Sequence, residues 1–209
     1  MTVETPDRRG YRSQLRKEQA LQTRGAVVAA ARELFVANGW AATGMREVAT
    51  AAGVALETVY SHFSSKRGVL RAVVDTAVVG DDAPIPLADR PEFAALGRGR
   101  RASRIDAAAT VLAAVQDRTA PIAKLLREAA PADAEIAEML QATRERQWSD
   151  VAMALALIVG REPTRPEVDG VWAVVSPEVY LLLVEDSGWT PSQYETWVAG
   201  ALDALVPRS

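Results

Sequence analysis

The sequence contains no cysteine in 209 residues and a single histidine, His62. Disulfides, thiol nucleophiles and the common zinc frameworks are therefore excluded, and one histidine without a second His or a Cys completes neither a metal site nor a catalytic triad. Lysine is scarce too, 3 residues against 21 arginines. That bias usually reflects GC-rich coding and says little about function. Long apolar runs are missing: "VAMALALIV" at 151–159 is too short to span a bilayer, and "MTVETPDRRGYRSQLRKEQ" lacks the apolar segment of a secretory signal. The simplest expectation is a cytoplasmic protein with no membrane partner. A Gly-rich phosphate loop and a close carboxylate pair at helical metal spacing are also absent, so neither an enzyme nor a bound cofactor is expected.

What is present is the composition of a soluble globular chain, 49% hydrophobic and 24% charged, long enough to bury a sizeable core in one or two helical domains. The net charge of −3 hides an asymmetry. Residues 1–72 carry 11 Lys/Arg against 6 Asp/Glu, and residues 73–209 carry 13 against 21. A basic end on an acidic protein fits an electrostatic footprint for a polyanion, and it fits a solvated tail equally well.

Periodicity predicts helices almost throughout. From Thr23, residues Val27, Ala31, Leu34 and Phe35 recur on one face, and Asn38–Gly39 supplies a stop. Met45, Val48, Ala49 and Ala52 make a short second helix ended by Gly53. A third runs from about Ala55 to His62 with Val59 and Phe63 inward, and Ser65 caps a fourth through Val69, Leu70, Val73 and Val74. Two short helices joined by a Gly-containing turn after a longer one form a helix-turn-helix, whose second helix enters the major groove of DNA. A helical hairpin of this kind also occurs as a mere packing unit.

The stretch "TRGAVVAAARELFVANGWAATGMREVATAAGVALETVYSHFSSKRGVLRAVVD", residues 23–75, resembles the N-terminal DNA-binding domain of the tetracycline-repressor (TetR) family of transcriptional regulators, through "AARELF", Gly39, Thr43, "REVA", "AGV", "TVYSHF" and "SK" in register. Residues 176–205 are similar to the last two helices of some members. The resemblance implies an all-α fold in which a three-helix helix-turn-helix domain, 23–68, follows a basic arm, 1–22, and precedes a helical effector-binding and dimerisation domain, 69–209. It implies double-stranded DNA with a palindromic operator as partner, a homodimer through about residues 165–205, and a small-molecule effector that releases a repressor. The alternative is an architectural or partner-binding helix-turn-helix protein without an effector.

On this reading Tyr60, His62 and Lys66 contact phosphate and set position, while Leu56, Glu57, Thr58 and Ser61 face the bases. Arg46 reaches the groove edge or the backbone, and Thr43 belongs to the DNA-contacting set carried over by the resemblance. Glu57 has two readings: a favourable charge in the first turn of its helix, which requires no DNA, or an acceptor for a cytosine amino group. Gly44 and Ala55 stand where family members commonly carry a capping Thr or Ser, so those hydroxyls are missing; Glu47 is placed to fold back over Gly44. The arginines at 8, 9, 12 and 16 with Lys17 form the arm, which either follows the DNA backbone or stays solvated.

Beyond this domain, "PEFAALGRGRRASR" predicts a short helix and a basic loop. A helix from Ile105 is expected to end near Pro121, a short one follows before Pro131, and a long one covers 132–159. Two more span about 165–186, bent at Pro177, and 191–205. Met139, Trp148, Met153 and Trp172 are candidates to line an effector pocket, although such a stripe at helical spacing also serves as core.

Overall fold

The computed structural model describes residues 8–80 and 90–206, for residues 8–16 and 79 the backbone alone. The described residues are helical with no strand, and internal contacts divide the chain into two units, residues 1–73 and 74–209.

The first unit holds α1 (Arg8–Ala42), α2 (Met45–Ala51), α3 (Leu56–Phe63) and the start of α4 (Lys66–Val79). Residues 8–22, expected within a loose arm, continue α1 as helical backbone, whereas residues 1–7 lie outside the described residues. No Gly or Pro occurs from Tyr11 to Arg24, and straight-chain residues extend a helix already nucleated by a packed segment. Gly39 (φ 79, ψ 173) interrupts α1 at the expected stop. Val27, Ala31, Phe35, Val48, Val59, Phe63, Val69 and Leu70 are buried together as the core of this unit. Each large member contributes about 1.5–3 kcal/mol of apolar burial, which holds two helices too short to persist alone.

The sharpest local geometry lies between α3 and α4. Ser64 takes φ 59, rare for a residue with a side chain, and its N–H donates to the Tyr60 carbonyl at 2.9 Å. Ser65 then caps α4, its hydroxyl accepting from the Gly68 N–H at 3.1 Å. A Cβ on Gly68 would stand 2.0 Å from the Phe63 carbonyl oxygen, so this corner requires glycine by close approach.

The second unit begins within α4 and continues through α5 (Pro91–Ala94) with a 3₁₀ turn at Ala95–Gly97, α6 (Arg101–Ala129), α7 (Ala134–Val159), α8 (Arg165–Val174), α9 (Pro177–Leu181) and α10 (Pro191–Leu205). Helix α6 is central, packed on α10, α7 and α9. Two expectations are corrected. Helix α6 does not stop near Pro121 but runs through it. The missing N–H costs about 3 kcal/mol, and the burial of Ile122, Leu125 and Leu126 just beyond, at about 1.5–3 kcal/mol each, outweighs it. The single bent helix over 165–186 is two helices. Pro177 excludes helical backbone at Ser176 (ψ 153), whose hydroxyl instead caps the Val179 N–H at 3.4 Å and starts α9 afresh. A wider turn at Leu182–Asp186 follows, with the Ser187 N–H reaching back to the Leu182 carbonyl at 3.0 Å.

Candidate functional site

Helix α3 buries Val59 and Phe63, four residues apart, and this fixes the direction of everything else on it. Glu57, Tyr60 and Ser61 are exposed, and Leu56, Thr58 and His62 are half-buried at the margins of the buried stripe. Tyr60 remains 47% exposed, a large amphipathic residue that the unit itself does not need for its core. The Ser61 hydroxyl donates to the Thr58 carbonyl at 2.8 Å, leaving its lone pairs available but not its proton. The His62 ring lies 6.2 Å from that of Phe63.

The cap of α3 is as bare as the sequence predicts, with Ala55 offering no side-chain acceptor. At α2 the Glu47 carboxylate does fold back, accepting from the Gly44 N–H at 2.7 Å, half of a capping box without the hydroxyl. Arg46, the residue before Glu47, is exposed.

Two of the expected contact residues have roles inside the unit. Thr43 is 1% exposed, and its hydroxyl donates to the carbonyls of Leu34 at 3.1 Å and Gly39 at 3.0 Å. Its side chain is therefore not on the outward face; it satisfies carbonyls left open where α1 is interrupted. Lys66 donates from Nζ to the Trp40 carbonyl and lies 4.1 Å over the Trp40 ring. Burial lowers its pKa, with the Glu47 carboxylate acting in the opposite direction. The ammonium keeps further N–H donors, so it both ties α4 to the end of α1 and stays able to meet an anion.

The second unit contains a cavity of about 520 Å³ walled mainly by aliphatic side chains of α6 and α7, with Phe93 and Trp172 as its aromatic members. Of the four expected lining residues only Trp172 is there. Met139 is buried elsewhere in the core, Met153 is 42% exposed, and Trp148 uses its Nε1–H to bond Asp169 at 2.7 Å. A bulky side chain at helical spacing fills space, and a cavity lies where such side chains are not. A stripe of large apolar groups does not point to the polar wall residues Gln116 and Asp150. Gln116 had a legible signal: it falls in the buried stripe of Ala109, Ala113 and Ala120, where a polar side chain needs a reason. It is 1% exposed, donates to the Val175 carbonyl, and accepts from the Thr119 hydroxyl at 3.4 Å.

Among the described residues no group of three or more His, Cys, Asp or Glu is placed to hold a metal ion, and no helix is long and apolar enough to cross a membrane.

Comparison with known proteins bears on both units. The family model for bacterial regulatory proteins, tetR family, matches residues 27–73. The transcriptional activator FasR of Mycolicibacterium smegmatis is 44% identical over 63 residues, which cover 28% of this chain and 29% of that protein. The chain thus matches less than a third of the length of the curated relatives. Solved structures extend the likeness of fold to most of the chain. A TetR-family regulator from Rhodococcus sp. matches 89% of it and 99% of its own length at a TM-score of 0.67 and 19% identity. One from Mesorhizobium loti matches 89% and 96% at 0.68 and 18%. Residues 27–73 are thus similar to the tetR family of bacterial regulatory proteins, and most of the chain shares the two-part helical fold of the solved TetR-family structures.

Proposed function

We propose that the protein is a sequence-specific DNA-binding transcriptional regulator, a repressor that leaves its operator when a small molecule fills the cavity of the second unit. The observation that carries this reading is the outward face of α3, a helix held by two inward side chains while Glu57, Thr58, Tyr60 and Ser61 are left for a partner. Thr58 and Leu56 meet bases, the thymine methyl being the natural contact of a Thr methyl, and exposed Arg46 addresses guanine or the backbone. Tyr60, His62 and Lys66 hold phosphates and set register. The Thr43 side chain acts through the fold and not through contact with DNA.

The protein works as a homodimer through about residues 165–205, on a palindrome whose half-sites lie roughly 34–36 Å apart. Support comes from apolar side chains that the chain itself leaves uncovered in that region, Leu182 at 55% and Leu205 at 43%. The cavity lies within the range usual for small-molecule sites. Helix α4 starts at Lys66 and also contributes Val74, Ala77 and Val78 to the cavity wall, so one helix carries both functions. The effector acts through its differential affinity for two dimer geometries. A relative is named an activator, so the sign of regulation is what a reporter under the operator reads out.

Footprinting on DNA flanking the protein's own gene tests the reading. A protected palindrome is expected, with Arg46→Ala and Thr58→Ala each weakening specific binding by about 1–3 kcal/mol. Uniform coating of the DNA, unaffected by these changes, supports instead an architectural helix-turn-helix protein.

A further inference from the structure

The charged groups in the cavity wall are not equivalent. Arg144 donates to Glu178 at 3.1 Å, and Arg127, outside the wall, reaches the same carboxylate at 3.0 Å. Arg146 pairs with Asp75 at 3.1 Å. Both wall arginines are therefore committed to carboxylates. Asp150, one turn beyond Arg146 on α7, is half-buried and, among the described residues, has neither a hydrogen bond nor an ion pair. Burial raises its pKa, and Arg146 offsets this in part through space. An unpaired carboxylate facing an apolar cavity is a charge waiting for a partner that water supplies poorly there.

The rest of the wall says what kind of partner fits. Phe93 and Trp172 are part of the wall, and aromatic rings attract cations over their faces through the quadrupole. The remainder is mostly aliphatic, so the occupant must be largely apolar. An anionic ligand would have to displace Glu178 or Asp75 from an arginine, whereas a cationic one finds Asp150 unoccupied.

Deepening the effector reading above, and resting on it, we propose that the cavity of the second unit selects lipophilic organic cations, with Asp150 as the counter-ion and Phe93 and Trp172 as aromatic walls. The ligand class is thus a drug-sized, mainly hydrocarbon molecule bearing one ammonium or a comparable delocalised positive charge. Gln116 and Thr119 hold the wall in shape and do not choose the charge.

Two ions of nearly identical shape and opposite charge make the test: tetraphenylphosphonium and tetraphenylborate, titrated into the full-length protein by calorimetry and by quenching of tryptophan fluorescence, which Trp172 makes sensitive to the cavity. The phosphonium is expected to bind the wild type and the borate to bind at least tenfold more weakly. Asp150→Asn should lower phosphonium affinity by about tenfold or more, as loss of an interaction with a charged group does in a desolvated site, while Asp106→Asn on exposed surface outside the cavity should not. Equal or tighter binding of the borate, an unchanged phosphonium affinity in Asp150→Asn, or no binding of either ion overturns the assignment. A parallel footprint keeps the two readings apart. Phosphonium binding without any protected DNA overturns the regulator and leaves the cavity chemistry standing. A protected palindrome with no effect of Asp150→Asn on phosphonium binding does the reverse.

Discussion

Helices α3 and α7 both set polar side chains among apolar ones, and they turn them opposite ways. In α3 the apolar pair Val59 and Phe63 is swallowed whole, Glu57, Tyr60 and Ser61 are left outside, and Thr58 and His62 lie at the margin. In α7 Val151, Leu155 and Ile158 are buried, yet Gln147 and Asp150 share the wall of a cavity with neighbours of the same face. A helix that packs fully displays its chemistry at the surface. A helix that packs incompletely keeps some of it inside. The first unit is thus a rigid support for an outward surface, the second a shell around space, and the two respond differently to substitution.

The largest effect is expected where the first unit is tightest. Gly68→Ala forces a methyl group against the Phe63 carbonyl, an immovable backbone atom, and should destabilise the first unit by about 3 kcal/mol, seen as an early transition in urea unfolding. A change below about 0.5 kcal/mol would mean that the corner can relax and that the support is not rigid. The second unit should tolerate, and even gain from, the loss of a polar group. The Tyr194 hydroxyl is buried without a hydrogen-bond partner among the described residues, its ring packed edge-on to Tyr180 at 4.7 Å, and burial raises its pKa. Tyr194→Phe removes the unsatisfied group and should leave stability unchanged or raise it by about 1 kcal/mol. A loss of more than about 1 kcal/mol would show that the hydroxyl has a bonding role.

An effect of similar size is expected at the bare cap. Ala55→Ser restores an acceptor to the N-terminus of α3 and should add about 1 kcal/mol, visible as slower amide exchange along that helix. If exchange is unchanged, α3 is held by its tertiary contacts alone. The smallest is a surface marker of the second unit. Glu167 accepts from Arg161 at 2.7 Å and from the Thr164 N–H at 2.7 Å, and these bonds lower its pKa to about 2. A depressed carboxylate stabilises the folded state above its unfolded pKa, near the usual 4.5, and that support is lost as pH falls through the folded value. The side-chain carbon resonance of Glu167 should therefore titrate near pH 2, and a midpoint near 4.5 would mean the cap is open in solution.

The legibility of the two units differs for the same reason. The elements of the first are readable because the inward residues repeat at helical spacing, Gly39 and Gly53 mark two corners and Ser65 the third; Val27, Ala31, Phe35, Val59 and Phe63 are buried as their period demands. Thr43 enters the expected contact set only through the resemblance, and no local pattern shows that its hydroxyl donates to the carbonyls of Leu34 and Gly39. In the second unit the limits of α10 were legible from Thr190, Pro191 and the apolar repeat, but Pro121 misled, since its cost is local and the burial that overrides it is not. Met139, Trp148 and Met153 lie away from the cavity wall because a cavity is defined by the side chains that do not meet.

By itself the sequence determined that this is a helical protein with a basic N-terminal portion and a helix-turn-helix whose outward residues are named by their spacing, because helix period and turn chemistry act between residues close in the chain. Only the tertiary structure decided that Thr43 is internal, that Lys66 lies on Trp40, and that Asp150 lines a cavity with no partner among the described residues. Those facts depend on which side chains from distant segments come within a few ångströms, and no local pattern encodes that distance.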